Sequence, residues 1–349
     1  MNKVCIVIVN YNNFGDTIEC LESLLKSSYS DFQIFVVDNS LDNTSIDHLS
    51  NWASNNNYSG INTAFNDLVF PLHCKPLDHT VITDVEFNNS KHIFDNKLTI
   101  IRAENNGFAA ANNIVLRYLL KEEKSPSLVW ILNNDTVVAN DTLSNLLAFF
   151  QGKIDTRCLL GAKLRYYNKP DVIQAVAGHY NKWLGKHFHI GNNERDLGQY
   201  DNYQFGKMDY IVGASIFLPK IFIEEAGLMS EEYFLYFEEL DWVENGIKHG
   251  FTLAHLPNAL VYHKEGASIT NNSSEGNDTS FAEYYSIANR VRYIKKWHPL
   301  CLFTVLFGVG WAVLKRLFRG QFKLVKMLVV SIICILFSLK STTIKYERK

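Results

Sequence analysis

Three carboxylates stand close together at Glu238, Glu239 and Asp241, inside the aromatic stretch FLYFEELDW (234–242). A carboxylate held among aromatic rings is a candidate general base, able to take a proton from an attacking hydroxyl. The plain alternative is a solvated acidic first turn of a helix, but Phe234, Tyr236, Phe237 and Trp242 argue against full exposure. If the stretch is helical, positions 238 and 241 share a face and 239 points elsewhere, so the cluster divides between chemistry and positioning. Asn133-Asn134-Asp135 offers one strong anionic oxygen, on Asp135, or else a simple Asx turn. His263 is a structural histidine or a metal ligand, and its neighbour Lys264 is suited to phosphate. Asp38-Asn39 ends an apolar run, where a carboxylate can accept from a nucleotide base or ribose or merely cap the next helix. Asn10 and Tyr11 end another run. Asn106-Gly107 ends a third, where glycine lets backbone approach a ligand closely, the following helix N-terminus favours phosphate, and Asn112 comes about a turn later.

These residues sit at repeated positions. CIVIV (5–9), FQIFVVD (32–38), LTIIR (98–102) and LVWILN (128–133) are β-branched apolar runs, and each stops in a polar cluster. Helical stripes follow at Ile18–Leu25, Ala109–Leu120 and Asp141–Phe150, and Asp16 and Glu19 have capping-box spacing. Strand–helix alternation with short links predicts an α/β fold with a mostly parallel sheet and helices on both faces. Ligands bind beyond the carboxyl ends of such strands, so four polar clusters there imply one composite pocket. Residues 51–97 interrupt the rhythm, rich in Asn and without a sustained period. Further on, 210–220 reads as one strand, 253–268 as strand, turn and strand, and Tyr284–Trp297 as a helix.

The charge is partitioned. The 349 residues total −2, yet Arg290 to Lys349 hold 13 Lys and Arg against one acid, Glu347. An acidic body of −14 therefore carries a tail of +12, which suits a polyanionic surface. An apolar content of 47% excludes a disordered chain or a disulfide mini-protein. The six cysteines form no close pair and read as free thiols of a reducing compartment. Val4 to Val9 is too short for a signal-peptide core, so the body is expected in the cytosol.

Seven motifs in order, VNYNN (9–13), VVDNSLDNT (36–44), ENNGFAAANN (104–113), LNNDT (132–136), VGASIFLPK (212–220), FLYFEELDW (234–242) and VYHKEGAS (261–268), resemble family 2 glycosyltransferases. Within that family they are most similar to bacterial rhamnosyltransferase-like enzymes of surface-polysaccharide (O-antigen) assembly. The resemblance covers about residues 4–268. It implies a GT-A fold, a nucleoside-diphosphate sugar donor (dTDP- or UDP-linked), Mg²⁺ or Mn²⁺, and inversion at the anomeric carbon. It assigns Asn10, Tyr11, Asp38, Asn39, Asn106, Gly107, Asn112 and Asn134 to the nucleotide. It places Asp135 and His263 on the metal, although Asn133 stands where the family's Asp-x-Asp motif has its first acid. It puts Glu239 at the base position, where the family carries Asp, with Glu238 and Asp241 beside it.

The tail has two uncharged runs, Leu300–Leu314 of 15 residues and Met327–Leu339 of 13, joined by KRLFRGQFKLVK. Both are shorter than the roughly 20 residues a span needs. A hairpin would translocate a strongly basic connector, against the positive-inside rule. The tail is therefore expected as interfacial or re-entrant helices at the cytoplasmic face of the plasma membrane, held by anionic lipid, while long uncharged runs make nucleic acid a poor partner. The expected division is a GT-A domain over 1–285, with 51–97 an irregular insertion, and a basic membrane-associating helical tail over 286–349. The expected activity is transfer of a sugar to a lipid-linked glycan. The rival readings are a non-catalytic membrane scaffold and a sugar nucleotidyltransferase, the latter disfavoured because VNYNN replaces its Gly-rich basic loop.

Overall fold

The apolar runs are strands and stop at one level, as their polar ends imply. The computed structural model describes residues 3–90, 92–122, 125–151, 156–264 and 277–339. In chain order the first half runs β1 (Val4–Asn10), α1 (Phe14–Leu25), β2 (Phe32–Asp38), α2 (Thr44–Ser54), α3 (Asn66–Val69), β3 (His79–Thr83), α4 (Asp84–Asn89), β4 (Leu98–Arg102), α5 (Phe108–Lys121), β5 (Leu128–Asn133), β6 (Thr136–Val138) and α6 (Thr142–Phe150). The second half runs β7 (Cys158–Tyr166), β8 (Lys169–Ala175), β9 (Gly178–Asn181), β10 (Lys186–His189), β11 (Asp209–Tyr210), β12 (Ser215–Pro219), α7 (Lys220–Ala226), α8 (Glu238–Lys248) and β13 (Thr252–His263). Three helices close it: α9 (Asn277–Trp297), α10 (Leu302–Phe318) and α11 (Phe322–Phe337).

The main sheet has the order β3-β4-β2-β1-β5-β12-β7-β13-β6, with β8 on β7. From β3 to β5 every neighbouring pair is parallel. β12 is antiparallel to β5 and β7, and β13 runs parallel to β7. Both faces are covered, so alternate residues of one apolar strand enter different cores. Val7, Phe35, Ile101 and Ile131 pack under α5, whereas Ile6, Ile34, Ile100 and Trp130 pack under α1, α2 and α6. Register sets the strand ends level: Asn10 lies opposite Asp38, and Val9 opposite Asn133.

Several local expectations change. Residues 210–220 form two short strands, β11 and β12, because the chain turns at Val212–Ala214, where the Ser215 N–H donates to the Val212 carbonyl at 3.2 Å. Residues 252–263 form one long strand in place of strand, turn and strand. Its register jumps between Leu256 and Leu260, and Pro257, which has no N–H to give the ladder, lies in that bulge. Residues 265–268 lie outside the described residues. Asp16 and Glu19 do not cap α1, whose N-cap Asn13 makes no side-chain cap bond; both carboxylates bind Lys264 instead. Pro299–Phe318 is long and apolar enough to cross a membrane by length and composition, at 20 residues and mean hydropathy 1.7. The uncharged run underestimated that length because the helix continues through Lys315 and Arg316.

Within 51–97, β3 pairs with β4 at the edge of the sheet. A buried ion pair ties the segment to α1: the Lys75 ammonium lies 2.8 Å from Glu22, with side chains 2% and 0% exposed. Trp52 Nε1 and the His73 N–H also donate to Glu22, each at 2.8 Å. Glu22→Ala leaves the Lys75 charge buried without its partner and is expected to cost about 3–5 kcal/mol, read from the urea unfolding midpoint.

Candidate functional site

Side chains from the ends of β1, β2 and β5 and from α1 form one buried network. Asn10 Nδ2 donates to Asp38 Oδ1 at 2.6 Å, and the Ser40 hydroxyl donates to the same oxygen at 2.6 Å. Asn10 Oδ1 accepts from the Thr17 hydroxyl at 2.7 Å and from Asn134 Nδ2 at 3.3 Å. Asn134 also donates to Thr17 Oγ1 at 3.0 Å. Among the described residues, buried Asp38 Oδ2 and the neighbouring Asn39 Oδ1 accept no hydrogen bond. Burial raises the Asp38 carboxyl above its usual range, against the lowering effect of Ser40 and Asn10. The result is a pair of unmet acceptors beside a rigid scaffold, a setting that receives N–H or O–H donors of a ligand. Tyr11 lies half-buried at the end of β1.

At the end of β5, Asp135 is 5% exposed, and its Oδ1 lies 3.1 Å from His263 Nε2 at the end of β13. The other ring nitrogen, Nδ1, lies 2.8 Å from Gln174 Oε1. With the amide so oriented, Nδ1 carries a proton, and Nε2 then meets the carboxylate with a lone pair unless a second proton or a cation lies between them. Burial works to raise the Asp135 carboxyl, but the His263 charge and hydrogen bond together with Lys264 outweigh it, and the net is a lowered value. An oxygen and an imidazole nitrogen so placed fit a divalent cation whose remaining positions are filled by phosphate and water. Among the described residues no group of three or more His, Cys, Asp and Glu converges on one point.

Lys264 is not free for phosphate. Its ammonium is held by Asp16 and Glu19, it lies 4.7 Å over the Tyr167 ring, and its N–H donates to the Asp135 carbonyl at 3.0 Å. This clamp joins α1 to the end of β13. Burial would lower the ammonium's pKa, but the two carboxylates raise it, so it stays charged.

The acidic cluster approaches from α8. The Asn133 N–H donates to the Ala214 carbonyl at 3.0 Å, and the preceding Gly213 has Glu239 stacked on it. A Cβ at Gly213 would sit 3.2 Å from Glu239 Cγ. Glu239 thus lies one backbone layer from the end of β5. The chain enters α8 through Tyr236 and Phe237, both in left-handed conformations at φ 67° and 76°, costly for aromatic residues. Asn289 of α9 holds them by donating to the Leu235 and Tyr236 carbonyls at 2.8 and 3.2 Å. Glu238 is buried with Oε2 unpartnered. Its carboxyl is pushed well up by burial and by the Glu239 charge, and Glu239 is pushed up by burial.

One of the expected residues faces elsewhere. Asp241 is surrounded by donors: Trp297 Nε1 at 2.6 Å, Lys296 Nζ at 2.8 Å and Tyr233 Oη at 3.1 Å. Asn112 is buried on α5 and donates to the Phe108 carbonyl at 2.9 Å, one turn back on its own helix. Gly107 packs against the approach to α8, and the Asn106 N–H donates to the Glu104 carbonyl at 2.9 Å. Gly107 has φ 98°, and a Cβ there would meet the Phe234 carbonyl oxygen at 2.5 Å; the Phe108 N–H donates to that oxygen at 3.2 Å. Asp16, Thr17, Glu19, Ser40, Gln174 and Asn289 belong to the site but were not singled out as site residues from sequence. For Asp16 and Glu19 the spacing was visible but fits a cap as well. Ser40 lies inside VVDNSLDNT (36–44), where Asp38 and Asn39 drew the reading, and the other three carry no motif.

No protein-family model and no curated protein matches the chain. Solved structures do. GalNAc-T7 with UDP, GalNAc and Mn²⁺ is 13% identical at TM-score 0.56, over 86% of this chain and 50% of that one. The mannosyltransferase PcManGT from Pyrobaculum calidifontis in complex with GDP-Man and Mn²⁺ is 14% identical at TM-score 0.48, over 97% of this chain and 88% of that one. S. aureus TarS is 14% identical at TM-score 0.44, over 85% of this chain and 40% of that one. The chain therefore spans less than half of TarS and half of GalNAc-T7. The likeness to GalNAc-T7 shows the fold, a GT-A arrangement with a mostly parallel sheet between helices.

Gly107→Ala tests the packing between β4 and the α8 approach. Its strained φ and blocked Cβ are expected to cost about 1–3 kcal/mol, seen as a lower unfolding midpoint.

Proposed function

We propose that the protein is an inverting glycosyltransferase. It moves a hexose or deoxyhexose, rhamnose among them, from a dTDP- or UDP-linked donor to a lipid-linked glycan at the cytoplasmic face of the plasma membrane, in surface-polysaccharide assembly. The observation that carries this reading is a buried polar network at the ends of β1, β2 and β5 whose Asp38 and Asn39 acceptors are unmet among the described residues, with the Asp135–His263 pair beside the end of β5 and Glu239 packed on Gly213, next to the Ala214 carbonyl that accepts from Asn133.

In this reading Asp38 and Asn39 accept from the base or ribose, and the Asn10–Thr17–Asn134 network holds that pocket rigid. Tyr11 flanks the base and Asn106 meets the phosphates, while the close approach that Gly107 allows is taken by the Phe234 backbone. Asp135 and His263 would hold Mg²⁺ or Mn²⁺, which would supply charge neutralisation for a departing diphosphate. Gln174 fixes the histidine ring so that Nε2 faces the ligand side. Glu239 accepts the proton of the attacking hydroxyl, and the affinity for protons that its burial raises suits that task. Burial is what raises Glu239, and burial together with the Glu239 charge in turn raises Glu238 beside it. Asp241 positions the cluster by anchoring it to α9.

Calorimetric titration with UDP, dTDP and GDP, each with and without Mn²⁺, tests the donor site. Metal-dependent binding of one nucleotide is expected, weakened by Asp135→Asn and His263→Ala; failure of every nucleotide to bind folded protein would overturn the reading. Glu239→Gln is expected to lower kcat by about 10²–10⁴-fold with nucleotide binding unchanged. Glu239 must be deprotonated to act, so kcat/KM is expected to rise as pH rises through its upshifted pKa. The limb therefore lies above that of an ordinary exposed carboxylate, and a pH–rate profile checks it.

A further inference from the structure

The last two helices leave a large aromatic face uncovered. Phe303, Phe307, Trp311 and Phe318 of α10 are 84%, 81%, 58% and 88% exposed, at spacings of four, four and seven residues, which is one helical face. Phe322 and Phe337 at the two ends of α11 are 67% and 69% exposed. Basic side chains border this face: Lys315 lies 5.5 Å over the Trp311 ring, and Arg319, Lys323 and Lys326 are exposed beside it. Residues 302–339 contain no Asp or Glu.

The opposite faces are committed to protein. Val305, Val309, Leu324 and Leu328 are buried in the core, where α10 and α11 pack on α9 and on each other. The Thr304 hydroxyl donates to the Trp183 carbonyl at 2.7 Å, Arg316 donates to Glu283 at 3.1 Å, and Lys295 donates to the Ile335 carbonyl at 2.6 Å. A helix with one long side fixed to a folded body cannot be surrounded by lipid without losing those contacts. Crossing would also carry Arg319 and its basic neighbours through the bilayer.

We propose that α10 and α11 form a platform lying in the plane of an anionic lipid leaflet, aromatic face submerged and body standing on it. An amphipathic pair with aromatics on one side and a basic border is the composition such interfaces select. This sharpens the membrane placement given above and does not depend on sugar transfer. Because α9 packs on the platform and also grips the Glu239 approach through Asn289, the lipid surface and the base stand in a fixed relation.

Sedimentation of the full chain with sealed vesicles tests this. Co-sedimentation is expected with mixed phosphatidylglycerol–phosphatidylcholine vesicles, reduced at least tenfold with phosphatidylcholine alone. A Phe303→Ser, Phe307→Ser, Trp311→Ser variant is expected to lose vesicle binding tenfold or more while keeping its unfolding midpoint. Tryptophan fluorescence should be quenched more by lipids labelled near the headgroup than by lipids labelled at the chain end. Deeper quenching at the chain end, with a Gln321→Cys thiol reached only from the far side of the vesicle, would overturn the in-plane platform in favour of a span. A dimer that the triple variant converts to monomer, with no vesicle binding, would overturn it in favour of a second copy. No nucleotide is present, so a failed transferase reading would leave these outcomes unaffected.

Discussion

Removing a carboxylate from water is tolerable only if donors meet it or a proton neutralises it, and the site is arranged around that constraint. Strands β1, β2 and β5 stop at one level between two apolar cores, and Asn10, Asp38, Asn39, Asn134 and Asp135 at those ends are buried. Asn10, Thr17 and Asn134 answer by satisfying one another and one Asp38 oxygen. The other Asp38 oxygen is left unmet. A buried network with one vacant acceptor is rigid everywhere except where a ligand completes it.

The remaining carboxylates divide by how the constraint is met. Asp16, Glu19 and Glu22 each have a lysine, and they serve as ties between α1 and distant segments. Asp241 has three donors and serves as a tie to α9. Asp135 is lowered because His263 and Lys264 outweigh its burial, so it remains an anion able to hold a cation. Glu238 and Glu239 meet no cation among the described residues, and burial raises both. One acidic composition thus yields ties, a ligand and a proton acceptor, and what differs among them is the partner each meets in space.

The same argument joins the tail to the body. The left-handed turn at Tyr236 and Phe237 is costly by itself and persists because Asn289 takes up the carbonyls it exposes. Phe234 stacks on Tyr285 with ring centroids 5.0 Å apart, adding an apolar contact at the same joint. Helix α9 is therefore part of the scaffold that aims α8, while its other side carries α10 and α11. The acidic body and basic tail of the sequence meet at this helix.

The strand runs, their polar ends and their covering helices were legible because each is local: an apolar run buried on both faces reads the same wherever it packs. The level ending of β1, β2 and β5 followed from that alternation, and so did the convergence of Asn10, Asp38, Asn134 and Asp135. What the sequence could not reveal is which distant side chain satisfies which buried group. Asp16 and Glu19 looked like a cap because cap spacing is local, whereas Lys264 lies more than two hundred residues away. Asp241 and Glu239 are two residues apart and chemically alike, and only the packing of α9 on one and of Gly213 on the other separates them. The bulge at Pro257 and the break at Gly213 were hidden for the same reason. Apolar pattern determines where strands and helices form, while the pairing of buried polar groups is decided by neighbours that only the folded chain brings together.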